Sequence, residues 1–408
     1  MLGPYKQMAA VPHLPSLLAW SLFGRLHITG TPIAITFLVA GWTGSYALAG
    51  TVSALLTAGV SVAGPLRGRA ADRQPATRLL ATTAAGYGIG LTALALLPGP
   101  LWPVALLIAP LVGLFQPPVV PLGRATWPRI AGGPAREATY TAESTLQELL
   151  FVIGPTLTAA AVALVNARAA LIGCAAAAVA GAIGFGLALR RAGLEKPVPA
   201  GPGAVRRNPF TLFRVPGLIR MIAGTLLIVA ALNSVDLVMV AWSRDRGTPA
   251  LAGVLAAVWA IGSLTGGLLS GLVTGPPRLP RRLGLMALSM IVIVPTLPPI
   301  LHGSSPLLVG AVLTAGGATI APAIAANMSR IGEVAPPDRR GEVFGWVATA
   351  TTAGIALSAP VAGWLVDGYG SAAGVAGGAA FAVVATLLAL RPPPPAATPA
   401  VDPAVTRP

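Results

Sequence analysis

Residues 46–73 read YALAGTVSALLTAGVSVAGPLRGRAADR, an uncharged run from Tyr46 to Leu66 followed closely by Arg67, Arg69, Asp72 and Arg73. A helix needs about 20 mainly apolar residues to cross the hydrocarbon core of a bilayer, so this stretch reads as one complete span that ends in a basic loop. Outward from it the pattern recurs. Spans 1 to 12 are read near 16–40, 46–65, 77–97, 101–123, 144–165, 168–189, 217–241, 251–274, 283–302, 305–327, 344–366 and 371–390. Composition agrees: 55% of the 408 residues are hydrophobic and 10% charged, with a mean hydropathy of +0.78, values a soluble domain of this size does not tolerate. The many Gly and Pro inside the runs suit membrane helices, where neighbours re-satisfy the backbone groups that a kink frees.

A net charge of +15 raises the possibility of a nucleic-acid partner, but that requires cations gathered on one face of a folded domain. Here topology gathers them. Of the 27 Lys and Arg, Arg25 falls inside span 1; Arg168, Arg244 and Arg246 lie on one side of the membrane, and the remaining 23 on the other. Loops rich in Lys and Arg stay in the cytoplasm, so both termini and the central loop are expected there, in a multi-pass protein of the cell membrane. One span more or fewer would invert every later loop and destroy this split. The expected organisation is a six-helix bundle at 1–189, a cytoplasmic linker at 190–216, a second bundle at 217–391 and a disordered tail at 392–408. The lone Cys174 offers no disulfide framework, and span 1 is read as retained rather than cleaved.

The two halves share a pattern at a spacing of about 204 residues. Arg136, Tyr140 and Gly154-Pro155 at span 5 answer to Arg340, Phe344 and Ala359-Pro360 at span 11. Gly113, Pro117-Pro118 and Arg124 at span 4 answer to Gly317, Pro322 and Arg330 at span 10. Same order and same orientation make a parallel six-helix repeat. Within that frame, Gly64-Pro-Leu-Arg-Gly68-Arg-Ala-Ala-Asp72-Arg73 resembles the signature loop between helices 2 and 3 of the major facilitator superfamily, in particular its bacterial multidrug and small-molecule efflux members. The resemblance implies an all-α integral membrane fold of twelve transmembrane helices in two parallel pseudo-symmetric six-helix bundles. It also implies that Gly68, Asp72 and Arg73 form a cytoplasmic gate latch. The usual basic run after the latch is reduced to Gln74, Pro75 and Arg78. Gly154-Pro155 resembles a reduced form of the kink element that the family's antiporters carry in helix 5, whereas the basic motif of proton-driven drug exporters is missing from the middle of span 4.

Ionisable groups at membrane depth cost roughly 2.5–3.5 kcal/mol each, so they need a partner or a wet cavity. Arg25, His27, Glu148 and Asp236 are the proton-coupling candidates, because a Glu beside a movable Arg can bind and release a proton; Glu143 and Glu342 are placed at the cytoplasmic mouths of spans 5 and 11. Arg25 is expected to pair with Glu148, either as a titrating couple or as a static ion pair. His27 is read as a packing histidine or a proton carrier, and Asp236 as a gate, interface or substrate contact. Asn233, Trp20 and Trp259 are cavity candidates; Trp42, Trp102, Trp127 and Trp242, near span ends, are expected as interface anchors.

A membrane enzyme would need convergent nucleophiles or metal ligands, and His13, His27 and His302 lack metal-ligand spacing. No Gly-Lys-Ser or Gly-Lys-Thr loop for ATP occurs. No cofactor, metal or nucleic acid is expected; the partners are a small-molecule substrate, protons and the lipid bilayer, for a monomer. The function expected is secondary active export of small apolar or amphipathic molecules in exchange for protons. Proton-coupled uptake of a small metabolite is the alternative, and a membrane enzyme or sensor a third reading.

Overall fold

The computed structural model describes residues 3–199, 209–248, 250–270 and 278–390, which form helices and turns with no strand among them. After α1 (Gly3–Ala10), span 1 is built from α2 (Leu14–Phe23) and α3 (Leu26–Thr43); α4 (Tyr46–Ala71) and α5 (Ala76–Leu96) follow. Span 4 divides into α6 (Ala105–Leu114) and α7 (Val119–Ile130), and α8 (Gly133–Leu164) and α9 (Ala167–Arg191) complete the first half. The second half comprises α10 (Leu218–Asp245), α11 (Ala250–Ser270), α12 (Leu279–Ile293), then α13 (Pro306–Gly317) with α14 (Ile320–Val334), α15 (Arg340–Tyr369) and α16 (Ser371–Ala389). Twelve spans are long and apolar enough to cross a membrane. The described cations that follow spans 2, 4, 6 and 10 or precede spans 7 and 9 fall at one set of helix ends, called here the basic face.

Breaks in the spans have chemical causes. Pro117 and Pro118 cannot donate to the carbonyls one turn before them, and α6 ends there. Arg67 of α4 fills the gap, donating to the carbonyls of Gly113 at 3.3 Å, Val60 at 2.7 Å and Gln116. Helix extents differ most from the hydrophobic runs at span 5, which begins at Gly133 rather than near 144. With 32 residues it is about 48 Å long at ~1.5 Å per residue, well beyond the ~30 Å hydrocarbon core. The start of the expected linker is not free: Glu195 accepts from the backbone N–H of Ala76 at 2.9 Å, and Arg129 donates to the carbonyls of Leu194 and Lys196. Residues 200–208 and the tail 392–408 lie outside the described residues.

Internal packing repeats with the sequence. Gly59 of α4 and Gly113 of α6 meet backbone to backbone: a Cβ at Gly59 would lie 2.9 Å from the carbonyl carbon of Pro110, and one at Gly113 2.9 Å from the Val60 nitrogen. Gly262 of α11 and Gly317 of α13 repeat the contact, where the same additions would lie 2.9 Å from Thr314 and from the Trp259 ring. Small residues permit such approaches, which in lipid replace the missing hydrophobic drive. One apolar cluster on the basic side joins both halves, from Leu14, Leu80, Trp127 and Phe185 to Ile331, Phe344 and Val347. Away from that face the cores separate, one holding Ile35, Leu56, Tyr87 and Leu91, the other Val235, Met286, Leu313 and Val375. On α8, Leu149, Phe151, Val152, Ile153 and Leu157 are all exposed although they point around the helix. The halves therefore share one apolar core on the basic face and keep separate cores toward the opposite one.

Candidate functional site

The closure is built from glycines. Gly64 and Gly68 lie one turn apart on α4, Gly341 and Gly345 one turn apart on α15. A Cβ at Gly64 would sit 2.8 Å from the Gly345 carbonyl oxygen, and one at Gly341 2.6 Å from that of Gly68. Thr349 donates to the Ser61 carbonyl at 2.8 Å. Just past α4, the Asp72 carboxylate accepts from the backbone N–H groups of Gly341 and Glu342, both at 2.8 Å. The first N–H groups of a helix have no intrahelical partner, and α15 has no side-chain cap from its own N-cap residue. Asp72 thus caps it from the other half, where the helix dipole favours an anion. Burial pushes the Asp72 carboxyl up to about 7, against the pull of those two N–H groups; Glu342 and Asp338 add to the rise. Beside it Glu342 is held by Arg69 at 2.6 Å and Arg339 at 2.8 Å. Arg73 is exposed and pairs with nothing among the described residues, so the cation crossing this seam is Arg69. A pseudo-symmetric seam joins the two halves at a second place. Gly267 of α11 abuts Thr145 of α8 as Gly64 abuts Thr349, and Arg136 pairs with Glu333 across it at 2.7 Å.

Deeper in the first half, Arg25 stands at the break between α2 and α3. Its guanidinium lies 2.7 Å from Glu143 and donates to Gln147 at 3.1 Å and Ser21 at 2.9 Å. Arg124 reaches the same Glu143 oxygen at 3.0 Å, while the Trp127 indole N–H donates to the other at 2.6 Å. The expected Arg25–Glu148 pair does not form. Glu143 and Gln147 are one turn apart and face α2 and α3, whereas Glu148 lies about 140° farther round at 3.6 residues per turn. Because α8 starts at Gly133, Glu143 is inside the bundle and 1% exposed, not at a mouth. Trp127 and Trp242, expected at the interface, are buried; Trp127 serves Glu143 and Trp242 stacks under Arg246 at 5.0 Å.

Glu148 is turned instead toward the second half, within electrostatic reach of Asp236 on α10 and beside Ser263 on α11. Neither carboxylate has an ion-pair partner among the described residues. Asp236 is exposed and shares its face of α10 with half-buried Asn233, which donates to Ser358 of α15 at 2.8 Å. The other candidates lie elsewhere. His27 is buried against Tyr87, ring centroids 5.2 Å apart, with both nitrogens unpartnered. Trp20 packs on Phe23 and over Gly184 of α9, and Trp259 is in the second-half core. Gly154 meets Leu26 and Thr29 of α3, a Cβ there lying 3.0 Å from the Leu26 carbonyl; Pro155 follows inside α8 without ending the helix.

Arg69, Glu143 and Glu342 are the network members that charge patterning alone leaves unassigned to a role. Their signal in the sequence is position: Glu143 lies four residues before Gln147 on one face of α8, and Glu342 sits in the first turn of α15.

The sequence profile of the Major Facilitator Superfamily matches residues 17–274 and again 221–407. No curated protein sequence matches the chain. Among solved structures, the chain resembles a bacterial homologue of the iron transporter ferroportin in an outward-facing state, at 13% identity and a TM-score of 0.70, covering 92% of this chain and 98% of that one. The human organic anion transporter MFSD10 (TETRAN) is similar at 16% identity and 0.70, covering 93% and 99%. The E. coli fucose:proton symporter FucP follows at 14% and 0.67, covering 92% and 98%. At such identities the likeness is one of fold, but the family profile covers both halves, and this chain belongs to the major facilitator superfamily of membrane transporters.

Proposed function

We propose that the chain exports small apolar or amphipathic molecules across the cell membrane in exchange for protons, by alternating access of the central cleft. The observation that carries this reading is the pair Glu148 and Asp236, two carboxylates at membrane depth on opposite halves with no cation between them. An unpaired carboxylate there is costly when charged, so a proton or a cationic group of the substrate relieves it, and rocking of the halves changes what each carboxylate faces. The Arg25–Glu143–Arg124 cluster is already satisfied and is assigned to holding spans 1, 4 and 5 together. Asp72, Arg69 and Glu342 form the gate. With the basic face in the cytoplasm, as the positive-inside rule directs, both termini are cytoplasmic and the conformation is outward-open. The exporter is taken to work as a monomer.

In inside-out vesicles with an imposed pH gradient, substrate should accumulate with the gradient, and Glu148→Gln should abolish accumulation while substrate binding persists. Full activity of Glu148→Gln removes that residue from coupling. Accumulation only in right-side-out vesicles would reassign the same residues to proton-coupled uptake.

A further inference from the structure

Four helices of the second half, α10, α12, α14 and α16, end together on the basic face and leave a cavity of about 350 Å³ between them. Glu137 of α8, from the first half, also reaches its wall. Its walls are apolar at Met221 and Leu283, and Arg220, Arg330 and Ser329 bring polar groups to it; two carboxylates line it as well, Glu333 held by Arg136 and Glu137 within electrostatic reach of Arg282 and Arg136. Arg220 has no ion-pair partner among the described residues. Arg330 is bonded to Glu333 at 2.8 Å, but Glu333 is also held by Arg136 at 2.7 Å, so Arg330 can turn toward a ligand and leave Glu333 with a counter-charge. Ser329 is 2% exposed, yet its hydroxyl has no partner. Buried polar groups without a partner are rare, and each calls for an explanation such as a bound molecule.

With Glu137 and Glu333 countered by Arg282 and Arg136, two guanidiniums and an orphan hydroxyl beside an apolar wall fit an anion with a hydrocarbon body. The cavity opens where the spans end, at the depth of lipid headgroups, and basic pockets between membrane helices take anionic headgroups. Leu390 at its rim and its neighbours in sequence Ile219 and Leu387, adjacent to lining residues Arg220 and Leu388, are exposed, a surface along which an acyl chain can continue. We propose that this cavity binds the headgroup of an anionic phospholipid from the leaflet on the basic face. The phosphate lies between Arg220 and Arg330, and Ser329 donates to it.

Native mass spectrometry of the full chain, with phosphatidylglycerol and phosphatidylcholine of matched acyl chains, tests this. Phosphatidylglycerol should be retained in preference, and Arg220→Gln and Arg330→Gln should each lower its retention about fivefold, at ~1 kcal/mol per basic side chain near the surface. Arg220→Lys should restore most of it. Since Arg220 makes no ion pair among the described residues, its replacement does not threaten the fold. Equal retention of the two lipids overturns the proposal, as does an equal loss in Arg191→Gln, an exposed cation at the end of α9. Displacement of the lipid by glycerol phosphate at matching concentration would make the occupant a soluble anion and overturn it too.

Discussion

Replacing Gly68 by Ala adds one methyl group where α4 meets α15. That carbon would sit 2.8 Å from the Glu342 Cα and 2.8 Å from the Gly341 carbonyl carbon, and both are backbone, so no side chain can swing aside. Carbon atoms rest at roughly 3.5–4.0 Å; the helices must part locally by about 1 Å. Overpacking of this kind costs about 1–3 kcal/mol. The same movement stretches the Asp72 bonds to Gly341 and Glu342, now 2.8 Å, past hydrogen-bonding range. Since parting relieves the clash at the expense of those bonds, the two costs are alternatives and do not add. A net loss of about 2 kcal/mol shifts the balance between closed and open basic faces about 30-fold toward open, at ~1.4 kcal/mol per factor of ten. Spin labels at Arg78 and Arg281, exposed at the basic ends of α5 and α12, report it in a Cys174→Ala background. Pulsed electron resonance should give a longer-distance population in Gly68→Ala. Gly173→Ala, whose added carbon meets nothing within 4 Å, should not. If the two variants give the same distance distribution, the glycine seam does not hold the gate.

Glu143→Gln leaves Arg25 and Arg124 buried without a counter-charge and should destabilise the protein by about 3–5 kcal/mol; thermal unfolding in detergent that moves by less than about 1 kcal/mol would contradict the structural role given to this cluster. Glu148→Gln breaks no ion pair and should leave unfolding unchanged while transport is lost. For Asp72, the closed state holds a carboxyl at about 7 against 3.8 for a free one, so the closed state binds the proton more tightly. Closure should therefore strengthen as pH falls below 7, by at most about tenfold per unit for one proton; the long-distance population of the label pair should shrink between pH 8 and 6, and Asp72→Asn should flatten that response. Arg67→Ala removes the side-chain donor that reaches the carbonyls of Val60, Gly113 and Gln116 and should cost about 1–3 kcal/mol in stability.

What the sequence discloses depends on the range of the interaction. Spans are legible because twenty apolar residues are a local fact. Gly113 and Gly317 are visible as a repeat, whereas the glycines they meet, Gly59 and Gly262, emerge only from the backbone contact made twice in the structure. The motif around Gly68 and Asp72 is legible as a resemblance, but the partners of Asp72, Gly341 and Glu342, are about 270 residues away, and no local pattern names them. Charge pairing failed for a different reason. Hydrophobicity sets the bilayer-facing part of a helix, not its length: α8 runs on past the apolar run to Gly133, which moves Glu143 from a mouth to the interior and delivers it to Arg25. Once Arg25 is taken, helical periodicity alone turns Glu148 toward α10 and α11. In the proposed exchange the two glutamates of one helix divide the work: Glu143 is boxed in by two guanidiniums and an indole, whereas Glu148, without an ion-pair partner among the described residues, is the one assigned to take up the proton.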